Sequence, residues 1–130
     1  SEVSNMSTIK ANTLLAANGS STTPPSIPAL DTRFAAAWIK FKMSETEAIL
    51  SSQNISSLTD IAVGNIRTNF TTAMANANYA SVLGGVPTTG FSLSCYSYQN
   101  TTAYVNCFHR EGSTAVDSVE FNVIVFGVKS

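Results

Sequence analysis

Ala37-Trp38-Ile39-Lys40-Phe41-Lys42 decides how this chain is to be read. On a period of two, Ile39 and Phe41 share one face and Trp38 takes the other, as in a strand with one side against a core. The same texture continues towards the C-terminus, with turn residues at the roughly 8 to 12 residue spacing of sandwiches and barrels. Gly64 to Phe70 puts Ile66 and Phe70 inward and Arg67 and Asn69 outward, and Ile49 to Leu58 supplies a weaker pair of strands. Ala73 to Asn78 reads as a helical turn or an irregular corner. Tyr79 to Leu83 resumes a strand that Gly84-Gly85 is expected to stop.

Phe91 to Tyr98 and Ala103 to Phe108 read as a hairpin turning through Gln99-Asn100-Thr101-Thr102. Folded about Thr101, it sets Cys95 against Cys107. The two form a cross-strand disulfide if they occupy a non-hydrogen-bonded pair; otherwise they are two reduced, buried small hydrophobes, as suits a chain whose start lacks an export signal. Tyr96 and Tyr98 fall on one face of the hairpin, with Tyr104 and Phe108 on one face of the partner strand. Such stripes serve as core, as subunit interface or as stacking platforms for sugar rings. In Val119 to Phe126 both odd and even positions become apolar, as in a central or inter-subunit strand buried on two sides.

Towards the N-terminus the texture changes. Residues 1–33 run through Asn18-Gly19-Ser20-Ser21-Thr22-Thr23-Pro24-Pro25-Ser26-Ile27-Pro28, a tether with a stiffer, polyproline-like end. Ile9, Leu14 and Leu15 have too few local apolar partners to be buried there and suit a docking arm. Residues 34–130 form the single folded domain that 130 residues allow.

Composition excludes several function classes. Charged residues make up 12% of the chain and the net charge is -1, so the basic field needed for nucleic acid is missing. Ser, Thr and Asn number 18, 15 and 11, or 44 of 130 residues, which gives a surface that hydrogen-bonds rather than repels. No apolar run is long enough to span a bilayer, so no membrane partner is expected.

His109 is the only histidine, and one chain supplies no metal-ligand spacing; only a trimer would gather three copies around an axial metal or anion. Ser113 or Ser118 with His109 and Asp117 is the nearest approach to a nucleophilic triad, without an elbow motif. Glu45 with Glu47, or Glu111 with Asp117, is the nearest approach to a glycosidase pair. Isolated carboxylates are normally solvated, and Gly84-Gly85 lacks the Lys-Ser/Thr of a phosphate loop. The reading is therefore non-enzymatic, with no catalytic residue, no metal and no cofactor.

Ala37-Trp38-Ile39-Lys40-Phe41, Asn54 to Asp60, Gly64 to Ala80 and Val123-Ile124-Val125-Phe126-Gly127 together resemble the carboxy-terminal module of bacteriophage tail-fibre and virion fibre-knob proteins. The specific part is Asn69 to Ala80, and Met6-Ser7-Thr8-Ile9-Lys10 is similar to the start of short stand-alone members from phages of cyanobacteria. The chain departs from the pattern at Ala75, where the family has proline, and between Lys42 and Ile49, which lacks a glycine-rich turn. The resemblance implies an all-β antiparallel sandwich, jelly-roll-like and homotrimeric, with the arm docking on other capsid or tail proteins of a virion made in the bacterial host cytoplasm. It implies a structural role as capsid decoration, cement protein or short fibre. The alternative is a receptor-binding adhesin that recognises a host surface glycan or protein through Tyr96, Tyr98 and Tyr104.

Overall fold

The computed structural model describes residues 33–44, 46–88 and 93–130. They form nine strands: β1 Ala37–Lys42, β2 Ala48–Gln53, β3 Ile55–Ala62, β4 Asn65–Phe70, β5 Ala80–Gly85, β6 Leu93–Ser97, β7 Tyr104–Glu111, β8 Thr114–Ala115 and β9 Phe121–Phe126. One sheet runs β2-β1-β9-β5 and the other β3-β4-β7-β6, with β8 beside β7; all pairings are antiparallel. No helix among the described residues is long and apolar enough to cross a membrane. Ile9, Leu14 and Leu15 of the expected arm lie outside the described residues.

The alternation seen in the sequence builds the core. Ala37, Ile39 and Phe41 of β1, Ile66 and Phe70 of β4, Val105 and Cys107 of β7, and Phe121, Val123 and Val125 of β9 are buried between the sheets. Phe41 and Phe121 meet with ring centroids 5.5 Å apart. Thr68, two residues from Ile66 and hence on its face, is also buried, and its hydroxyl reaches the Val105 carbonyl at 3.4 Å. That bond satisfies the one polar atom a threonine brings into a core.

Four details depart from the sequence expectation. The winding is not that of a jelly roll: β1–β2, β3–β4 and β6–β7 are hairpins inside a sheet, where a jelly roll winds its strands as two Greek keys. Gly84 and Gly85 are the last two residues of β5, paired with Asn122 and Phe121, so the strand runs through both glycines before it ends. A Cβ on Gly85 would lie 2.9 Å from His109 Cδ2 and 3.0 Å from Phe121 Cδ2, so the glycine permits close approach between the sheets. In β9 only alternate residues are buried; Ile124 and Phe126 keep 40% and 41% exposure on the outer face.

The fourth departure is register. Cys95 stands opposite His109 and Ser97 opposite Cys107, so Cys95 and Cys107 are diagonal neighbours on the inward face and both are free thiols. Diagonal positions are roughly 7 to 8 Å apart, beyond ordinary disulfide reach. The cause lies in the turn, where Gln99 adopts φ 49° and Thr101 donates its N–H to Tyr104 at 3.1 Å, which centres the hairpin past Thr101.

Candidate functional site

Each sheet turns one face to the other and leaves one outside, and the two outer faces differ in chemistry. On the β3-β4-β7-β6 sheet, the outward positions of β7 carry Tyr104, Asn106, Phe108 and Arg110. Tyr96 stacks on Phe108 at 5.2 Å between centroids, and Tyr98 meets both rings, at 6.3 Å and 6.0 Å. Asn65, opposite Phe108, donates its Nδ2–H to the Tyr98 hydroxyl at 2.8 Å, which fixes that ring. Arg110 lies over Phe108 at 5.2 Å and Arg67 over Tyr104 at 4.0 Å; Arg67 also donates from Nε to Asn106 Oδ1 at 3.1 Å.

Of the residues singled out in the sequence, the structure therefore gathers Tyr96 and Tyr98 with Phe108, while Tyr104 shares the face but pairs with Arg67. Tyr96 retains 42% exposure, which leaves ring area for contact. Arg67 and Arg110 escaped the sequence reading as members of this face. Their outward position was legible in the alternation, but their stacking on rings depends on cross-strand register.

The outer face of the β2-β1-β9-β5 sheet is apolar along one line. Val82, Ile124 and Trp38 are successive cross-strand partners in β5, β9 and β1. Val82 is 60% exposed, and Phe126 lies beside the row opposite Ala80. Trp38 ends it by donating Nε1–H to Gln53 Oε1 at 2.9 Å. Lys40 and Glu120 border the row as an ion pair of 2.8 Å. Val82, Ile124 and Phe126 are exposed and Trp38 is half-buried, so apolar residues aligned across three strands form a contiguous patch, which is the usual mark of an interaction surface.

The candidate catalytic groups are engaged elsewhere. Ser118 Oγ accepts the Val86 N–H at 3.1 Å and lies 3.0 Å and 2.5 Å from the Val86 and Glu120 carbonyls, so it pins a loop between strands. Asp117 accepts the Gly64 N–H at 2.7 Å, and Glu111 accepts from the Thr88 backbone and hydroxyl. Glu45 lies outside the described residues; Glu47 has its pKa raised by burial and by the charges of Asp60 and Asp117. His109 is wholly buried and holds the Val116 carbonyl through Nδ1 at 2.6 Å. Among the described residues no group of three or more His, Cys, Asp or Glu is gathered to hold a metal.

No protein-family model, no curated protein and no solved structure matches this chain.

Proposed function

We propose that the chain is a non-enzymatic structural subunit of a bacteriophage particle, a sandwich that assembles with copies of itself as a homotrimer and is anchored by its N-terminal arm as a decoration, cement or short-fibre protein. The phage assignment rests on the resemblance carried by Asn69 to Ala80 and by the Val123 to Gly127 strand. The observation that supports self-assembly is the row Val82–Ile124–Trp38, with Phe126 beside it, on one outer face of the sandwich. A second copy is the occupant that suits it: a net charge of -1 gives copies little reason to repel, and contact would remove apolar area from water at about 25 cal/mol per Å2.

Light scattering coupled to size exclusion tests this reading. The whole chain is expected at three times its subunit mass. Ile124→Lys and Val82→Lys, both on the outer face and so harmless to the core, are expected to return it to one. A wild-type mass of one subunit that persists on concentration would remove the proposal.

The aromatic face favours a second reading, in which the same subunit is an adhesin for a host surface glycan. Tyr96, Tyr98 and Phe108 offer stacking area, and Arg110 and Asn106 lie within the same face. Tyr96→Ala is then expected to weaken attachment to host cells by about 1 to 3 kcal/mol. Wild-type protein that fails to bind host cells even at high concentration would end that reading.

A further inference from the structure

We propose that Cys95 and His109 together form a binding site for a soft monovalent metal ion of the copper(I) class, a site that stands independently of the assembly proposed above. His109 is wholly buried, and its Nδ1 sits 2.6 Å from the Val116 carbonyl. A carbonyl only accepts, so Nδ1 carries the proton, and in the neutral ring Nε2 then presents a lone pair. That Nε2 is buried and has no hydrogen-bond partner. A buried polar atom left unmatched is costly, and a ligand on Nε2 would recover that cost.

Cys95 is placed to share such a ligand. The hairpin register sets it directly opposite His109 on the inward face, where Cβ atoms of a pair stand about 4.5 to 5.5 Å apart. Both side chains converge on Gly85. Burial holds the Cys95 thiol above its ordinary pKa while the nearby Gly85 backbone pulls it down, and His109 Cδ2, the carbon bonded to Nε2, lies 2.9 Å from where a Cβ on that glycine would stand. Metal-binding histidines are characteristically oriented in this way, with the second ring nitrogen held by a carbonyl or carboxylate.

The number of ligands selects the ion. A closed tetrahedral zinc site needs four donors, and no group of even three His, Cys, Asp or Glu is gathered among the described residues. One thiolate sulfur and one imidazole nitrogen satisfy a soft ion of low coordination number. Binding displaces the thiol proton: the S–H bond breaks, an S–metal bond and an Nε2–metal bond form, and one proton leaves to solvent with no change in oxidation state. The ion enters as the monovalent species.

The test is an anaerobic titration of the whole reduced chain with silver(I), a redox-inert probe, and with copper(I) delivered from a competing chelator. The His109 ring nitrogens are followed by 15N resonance. One ion per chain is expected, with the Nε2 resonance displaced. Cys95→Ser is expected to cut affinity by about 100-fold or more, at little cost to folding because Cys95 is only half-buried. Because that variant retains Cys107, undiminished binding in it would assign the ion to the other thiol and overturn the proposal. An ion held through Cys95 with Nε2 unmoved would mean a bare thiol and would overturn it equally.

Discussion

Cys107 and Tyr79 make the stability of this protein depend on alkali. Burial pushes the Cys107 thiol up from 9.0 to about 12, against a downward pull from the Thr68 hydroxyl. Burial likewise pushes the Tyr79 phenol up from 10.0 to about 12, and its hydroxyl lies 2.9 Å and 2.8 Å from the Thr101 and Tyr104 carbonyls. Both groups keep their protons in the folded chain after the unfolded chain has lost them. Their contribution is therefore complete below the ordinary values and declines as pH rises towards 12. Urea unfolding between pH 8 and pH 11 is expected to show stability falling from about pH 9 upward, by about 1.4 kcal/mol per pH unit for a buried group such as Cys107. Cys107→Ala, although less stable throughout, is expected to lose less with each pH unit; an unchanged slope would refute the assignment.

At the scale of elements, the corner between β2 and β3 rests on Asn54. This residue adopts φ 57°, a left-handed conformation that asparagine tolerates better than other residues bearing a Cβ. Its Nδ2 donates to the Ala36 and Thr72 carbonyls at 3.2 Å and 3.1 Å, and its Oδ1 accepts the Thr72 N–H at 2.7 Å. One side chain thus ties the chain before β1 and the chain after β4 to the point where the path leaves one sheet for the other. Asn54→Ala is expected to destabilise by about 2 to 4 kcal/mol, combining lost bonds with a strained backbone. Asn54→Gly loses the same bonds but not the backbone fit, so thermal melting should place it between wild type and alanine; equal melting of the two variants would show that φ contributes nothing.

The same scale shows how much was legible in the sequence. Alternation placed β1 and β4 and their inward residues correctly, because a buried face enforces a period of two whatever the partner strand is. Register and close approach are set by partners remote in sequence. Gly85 does end β5, but its second role, the close approach of the His109 ring, was hidden because His109 belongs to β7. Cys95 met His109 instead of Cys107 because Gln99 and Thr101 shifted the turn, and turn type is weakly encoded in Gln99-Asn100-Thr101-Thr102. On the aromatic face, Tyr96 and Tyr98 were legible as one stripe, while Arg67 and Arg110 join it only through cross-strand pairing.

For the molecule as a whole, the two outer faces differ in chemistry: an apolar row on one sheet and an aromatic, guanidinium-bearing surface on the other. A trimer that buries the Val82–Ile124–Trp38 row would leave Tyr96 and Phe108 turned outward, so the structural and adhesive readings call on different faces of one subunit. The arrangement of the first sheet also has a consequence for synthesis. Among the described residues, β9 lies between β1 and β5 and is the strand hydrogen-bonded to β5 in that sheet. Because Ala37 pairs with Val125, β1 cannot find its inner neighbour until nearly ninety further residues have been added, an interval of several seconds at roughly 5 to 20 residues per second. During that time Ile39 and Phe41 of the nascent chain have no finished core to enter, which makes the growing polypeptide a natural client for chaperones that shield apolar strands at the ribosome.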